Sequence, residues 1–112
     1  MSSVMELYQQ SEQLKADGKL EESIATLNQI LETDPSHVLS HLSLAVLYGR
    51  VGQHEKAVEH GKRACELDPT DAFNFTALSV TYQRAWQGTQ TQQYIQLAEE
   101  AMAQAHVLQG RG

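Results

Sequence analysis

Five histidines and a single cysteine are the side chains here with the most chemistry to offer. His37 and His41 stand four residues apart, the spacing that aims two imidazoles at one metal ion from one face of a helix. No carboxylate or thiolate is fixed beside them by a motif, so the expectation is a partly exposed pair near a helix start, with no metal. Cys65 lies beside an alanine-rich stretch, and nothing basic is arranged to lower its pKa; a buried, unreactive thiol is expected. The sequence has no glycine-rich phosphate loop, no G-x-S-x-G elbow and no H-E-x-x-H. No enzyme activity and no cofactor are expected.

A chain of 112 residues is the size of one domain, here 1–112. Eight Lys and Arg against fourteen Asp and Glu give a net charge of −6, which argues against nucleic acid, because phosphate needs a basic surface. The longest apolar run, Leu44 to Tyr48, is far short of the roughly 20 residues of a membrane span, so no insertion is expected. Met1 to Met5 has neither the basic start nor the apolar core of a leader, and one cysteine makes no internal disulfide. The expected location is the cytoplasm.

The only prolines, Pro35 and Pro69, are 34 residues apart. The same offset joins Asp34 to Asp68, Gly18 to Gly52, Glu21 to Glu55, Ile24 to Val58, Leu44 to Leu78, and Leu14 through Tyr48 to Tyr82. Such agreement marks an internal repeat. Within the first unit Leu20, Ile24, Leu27 and Leu31 follow at steps of four, three and four, which places them on one face of a helix. Gly18 and Gly52 fall where one helix must stop, and Asp-Pro ends each second helix. Ser36 and Thr70 are the predicted N-caps after those prolines, and Ser3 with Glu6 has capping-box spacing. No stretch alternates long enough for a strand. The reading is all-α, with the helices in pairs.

Phe75, Leu78 and Tyr82 continue the period from His41, Leu44 and Tyr48. The next matching set comes after 41 residues, joining Ala57 to Ala98, Ala64 to Ala105 and Leu67 to Leu108. Seven extra residues are about two helical turns. They are placed near 86–91 and lengthen both helices of the third pair, with Gly88 predicted to part them and Thr89 with Gln92 to cap the last. The units run about 4–35, 38–69 and 72–110.

This 34-residue helix–turn–helix unit resembles the tetratricopeptide repeat, most closely in the second unit at Leu44-Ala45, Tyr48, Gly52, Ala57, Ala64 and Pro69. The first unit matches at Leu14, Gly18 and Pro35 but has Ser23 where a small alanine is usual; the third matches at Leu78 and Tyr82. The resemblance implies a right-handed superhelix of three pairs, six helices in all. Stacked neighbours bury the apolar face that one pair cannot bury alone. Ala45, Ala57, Gly61 and Ala64 are small enough for close helix approach. The exposed face of the last helix, through Tyr94, Leu97 and Met102, is a self-association hazard.

The third helix, His37 to Val51, has two apolar stripes: Leu44, Leu47, Tyr48 and Val51, and then Leu39, Leu42 and Val46. The second stripe is either covered by neighbouring helices or left open. The resemblance implies that the first helix of each pair lines a concave groove for a peptide or helix. By register its residues are Met5, Tyr8 and Glu12, then Leu39, Leu42 and Val46, then Phe73, Thr76 and Val80. Arg50 and Arg84, with Lys15 nearby, repeat at its edge, either complementing helix ends or meeting a partner's carboxylate. Family members that clamp the acidic tails of chaperones use lysine, asparagine and arginine from the groove helices. The corresponding places here hold Tyr8, Glu12, Val46, Thr76 and Val80, so that clamp is not expected.

Residues 1–35 carry seven acids and two bases, residues 36–69 four of each, and residues 70–112 three acids and two bases. The acidic first unit is a solvated outer face or meets a basic partner. Trp86 either packs on the lengthened helices or anchors a partner. The expectation is a protein-interaction module holding an apolar peptide or amphipathic helix; the alternative is a scaffold that self-associates through the groove or the last helix.

Overall fold

Ser3 opens α1 (Val4–Ala16): its hydroxyl accepts the Glu6 amide at 3.1 Å while the Glu6 carboxylate accepts the Ser3 amide at 3.3 Å, as the capping-box spacing predicts. The computed structural model describes residues 3–110 and continues through α2 (Leu20–Thr33), α3 (Val38–Arg50), α4 (His54–Leu67), α5 (Ala72–Thr89) and α6 (Gln93–Leu108). The outermost residues of the predicted 1–112 domain, and the leader reading that rests on Met1 and Ser2, lie outside the described residues. No strand occurs among those described, and no helix is long and apolar enough to cross a membrane.

Gly18 and Gly52 stop α1 and α3 by adopting φ of +80° and +83°, a left-handed geometry that a side chain resists. Each turn is closed by a bond reaching back five residues, Lys19 N–H to Leu14 O at 2.9 Å and Gln53 N–H to Tyr48 O at 2.8 Å. The predicted caps Ser36 and Thr70 are corrected by one residue. His37 Nδ1 accepts the Ser40 amide at 3.2 Å, and the Asp71 carboxylate accepts the Phe73 amide at 2.9 Å. Each proline is followed by one more linking residue before the backbone turns helical.

The seven extra residues all become helix, five in α5 and two in α6 relative to α3 and α4. Gly88 does not part them. It lies inside α5 because the His54 ring rests on its Cα, where a Cβ would overlap the imidazole. The break falls at Gln90, a non-glycine at φ 61° whose side-chain amide donates to Gln87 O at 3.2 Å. The predicted Thr89–Gln92 capping box is also absent: Thr89 Oγ1 donates to Ala85 O at 2.7 Å, and Gln92 makes no side-chain cap bond.

Apolar burial divides into two clusters. Leu7, Leu27, Ile30, Leu44, Leu47 and Tyr48 fill the first; Cys65, Leu78, Tyr82, Ala98 and Ala101 fill the second. Between them α5 lies against α4 over Gly61, where a Cβ would meet Leu78 Cδ1 at 3.0 Å. That close approach is the packing role predicted for this glycine. The 41-residue register of the third pair also holds: Ala98 and Ala105 are buried like Ala57 and Ala64. Ser23 stands where alanine is usual because its hydroxyl donates to Ser11 O at 2.7 Å across the first pair; Ser79 does the same to Ala98 O at 2.8 Å in the third.

The outer face of α6 differs from expectation. Tyr94 and Leu97 pack inward on the second cluster, Tyr94 stacking on Tyr82 at 6.0 Å, while Ile95 and Val107 are exposed and Met102 is half-buried.

Candidate functional site

Each helix pair packs antiparallel through a three-residue turn, so α1, α3 and α5 share one side of the stack. α3 also packs on α5, whereas no two even-numbered helices pack to that extent. The second stripe of α3 faces this side and is not covered: Leu39 is 53% exposed, and Leu42 and Val46 are half-buried.

The structure places nine of the eleven predicted site residues in two clefts. Met5, Tyr8 and Leu39 line a cleft of about 450 Å³ between α1 and α3, with Val4, Gln9 and His37. Leu42, Val46, Phe73, Thr76, Val80 and Arg84 line a second, of about 240 Å³, between α3 and α5, floored by Ala45 and Gly61. Met5 and Phe73, 71% and 64% exposed, project over the two mouths. Thr76 spends its hydroxyl on Ala72 O at 3.2 Å, so it makes no cross-helix bond of its own. Glu12 and Arg50 line neither cleft. Glu12 instead pairs with Lys15 at 3.4 Å, a solvent-accessible contact of small energetic weight.

Several contacts escaped sequence reasoning. Tyr8 Oη and Ser43 Oγ share a hydrogen bond of 3.1 Å across α1 and α3, and the His37 ring lies 5.8 Å from that of Tyr8. The residues are 35 apart, close to the repeat period, which is the one sequence signal that could have paired them.

The histidine pair is reassigned too. His37 caps α3, while His41 Nε2 lies 2.9 Å from Pro35 O and its Nδ1 lies 3.0 Å from His60 Nδ1. A carbonyl only accepts, so with one proton per ring His41 donates from Nε2 and accepts at Nδ1 from His60. The rings thus tie the α2–α3 link, α3 and α4 together. Among the described residues no three His, Cys, Asp or Glu side chains converge. His60 also stacks on Tyr48, whose hydroxyl accepts from Asn28 at 3.1 Å.

Burial first, then His41 and Lys56, lower the His60 pKa from 6.5 to about 4. The unfolded chain therefore binds a proton in this window that the folded chain does not, so stability is full above pH 6.5 and falls as pH drops toward 4. The difference in urea midpoint between wild type and His60→Gln is expected to shrink from pH 7.5 to pH 5; a constant difference contradicts this placement of the ring. Cys65 is shifted the other way, its thiol pushed up to about 11 by burial and by Glu66, and it is inert at neutral pH.

Comparison with known proteins is in keeping with this geometry. A family model described as tetratricopeptide repeat matches residues 39–71. Protein CTR9 homolog of Arabidopsis thaliana is 39% identical over 61 residues, 54% of this chain but only 6% of that protein. Among solved structures, MamA superimposes with a TM-score of 0.81 at 14% identity, over 97% of this chain and 60% of its own. The second such repeat domain of Spaghetti (RPAP3), solved with the HSP90 peptide SRMEEVD, does so with a TM-score of 0.76 at 17% identity, over 94% of this chain and 91% of its own. The chain thus spans a small fraction of the curated relative it matches.

Proposed function

We propose that this chain, whose residues 39–71 match the tetratricopeptide-repeat model, is a protein-interaction module whose odd-helix face takes an apolar peptide or amphipathic helix. The observation that carries this reading is the row of exposed apolar side chains, Met5, Leu39, Phe73 and Val80, projecting beside two clefts. A solvated single domain has no stability reason to keep four such residues on one side. The two clefts favour a ligand with apolar anchors on successive turns. Arg84 in the second cleft favours an acidic group flanking those anchors.

The RPAP3 domain holds a peptide with two glutamates and a terminal aspartate. Here Tyr8, Glu12, Val46, Thr76 and Val80 occupy the clamp positions and supply no cation, so recognition rests on apolar contact with Arg84 secondary. A random peptide library panned on this chain is expected to enrich sequences with apolar residues three or four apart beside an acid. Phe73→Glu should weaken the selected peptides by about 2 kcal/mol, roughly 30-fold, with an unchanged far-UV spectrum. Peptides that bind this variant as well as wild type, or that carry acidic tails without apolar anchors, would refute the reading.

Self-association through the same face is the second reading, favoured by the same exposed residues. Light scattering across a wide concentration range separates the two: a dimer whose assembly Phe73→Glu abolishes replaces the peptide with a second copy.

A further inference from the structure

Four of the five turns between helices contain a residue that stops a helix by its own backbone: Gly18, Pro35, Gly52 and Pro69. The fifth, between α5 and α6, has neither glycine nor proline, only Gln90, Thr91 and Gln92. Gln92 is already helical at φ −60° and ψ −27°, so Gln90 and Thr91 are the whole of the break. Gln90 makes it by holding φ at 61°, a left-handed geometry that is costly for a residue with a side chain. Little holds it there. Its exposed side-chain amide reaches back to Gln87 O at 3.2 Å and to Trp86 O at 3.4 Å, while glutamine itself favours a helix.

α6 is also held by one neighbour. It packs on α5 and on no other helix to a comparable extent. Ser79 Oγ donates to Ala98 O at 2.8 Å, Tyr82 stacks on Tyr94, and Ala98, Ala101 and Ala105 are buried.

We infer that the α5–α6 hairpin is an exchange element for a second copy of this chain. Gln90 and Thr91 turn helical, α5 and α6 join into one helix over 72–108, and α6 docks on α5 of the other copy. A second copy is the partner because it carries the complement of α5 residue for residue. The exchange restores the α5–α6 contacts between copies and relieves Gln90, so association is its main cost. Two such helices run antiparallel and cross midway between paired residues. Ser79 with Ala98, and Tyr82 with Tyr94, place that crossing at Gly88 and Thr89. No residue from Ala85 to Ala98 is charged, so the copies meet there without like-charge repulsion. Met5, Leu39 and Phe73 stay exposed, which sets this dimer apart from pairing through the odd-helix face.

Sedimentation equilibrium of the chain from about 10 μM to about 1 mM is expected to show monomer and dimer in exchange. Gln90→Gly suits the left-handed φ and disfavours the joined helix. It should raise the dimer dissociation constant at least about 100-fold without lowering the urea midpoint, whereas Gln90→Ala should lower that constant about tenfold. Phe73→Glu should leave the constant unchanged. Amide shifts of the dimer should depart from those of the monomer near residues 88–93 and not at Met5, Leu39 or Phe73. A monomer at every concentration overturns the inference. So does a dimer indifferent to Gln90→Gly, abolished by Phe73→Glu, or marked by shifts on α1 and α3.

Discussion

Leu44→Ala is expected to cost about 3–4 kcal/mol of folding stability, read from the urea midpoint at constant m-value. Leu44 is wholly buried in the first cluster with Leu7, Leu27 and Ile30, so its truncation leaves a cavity where both of the first two pairs meet. A domain of this size has on the order of 5–15 kcal/mol in total, and the loss is a large part of it. Leu42 is the internal control. It sits two residues earlier on the same helix but lines the open cleft, and Leu42→Ala should cost less than about 1.5 kcal/mol. Equal losses at the two positions would mean that the second stripe of α3 is core rather than surface.

Gly61→Leu should cost about 2–3 kcal/mol, even though leucine favours a helix over glycine by nearly 1 kcal/mol. A single Cβ here already meets Leu78 Cδ1 at 3.0 Å, and Ala45 Cβ lies 3.9 Å away, so the longer side chain has to push α5 off α4. The repeat explains why the site differs from its equivalents. Leu27 occupies this place in the first pair, and α3 packs less closely on α2 than α5 does on α4. In a linear stack each pair contacts only its neighbours, so the damage should be confined to one junction. Trp86 emission, which reports the third pair, is expected to change at lower urea than the far-UV signal of the whole chain. Coincident transitions at the wild-type midpoint would contradict the close α4–α5 approach.

What could be read in the sequence was set by how local its cause is. Gly18 and Gly52 stop helices through their own backbone geometry, so a 34-residue recurrence located both turns. Pairing of apolar positions along α2, and the small residues beneath α5, followed from helical spacing and packing in the same way. Gly88 shows the limit. A glycine serves equally to end a helix or to admit a neighbour, and only the His54 ring from another helix decides which.

The caps slipped for a related reason. Ser36 and His37, or Thr70 and Asp71, are adjacent candidates, and the choice rests on where the backbone turns after the proline. Tyr94 and Leu97 were assigned outward because their equivalents one repeat earlier, Gln53 and Lys56, are polar and exposed, so the repeat gave no sign of their packing on the second cluster. The His41–His60 contact lies between two helices of one pair, where neither the repeat nor a motif marks it. For the candidate site, periodicity placed its apolar residues on one side of the stack. It could not tell that Glu12 and Lys15 satisfy each other or that Arg84 lies in a cleft and Arg50 does not.

The most direct test of the odd-helix face is an amide chemical-shift map of the chain titrated with a library-selected peptide. The account predicts that the largest changes fall at Tyr8, Leu39, Leu42, Val46, Phe73 and Val80, on α1, α3 and α5. Changes confined to α2, α4 and α6, with the odd-numbered helices undisturbed, would contradict it.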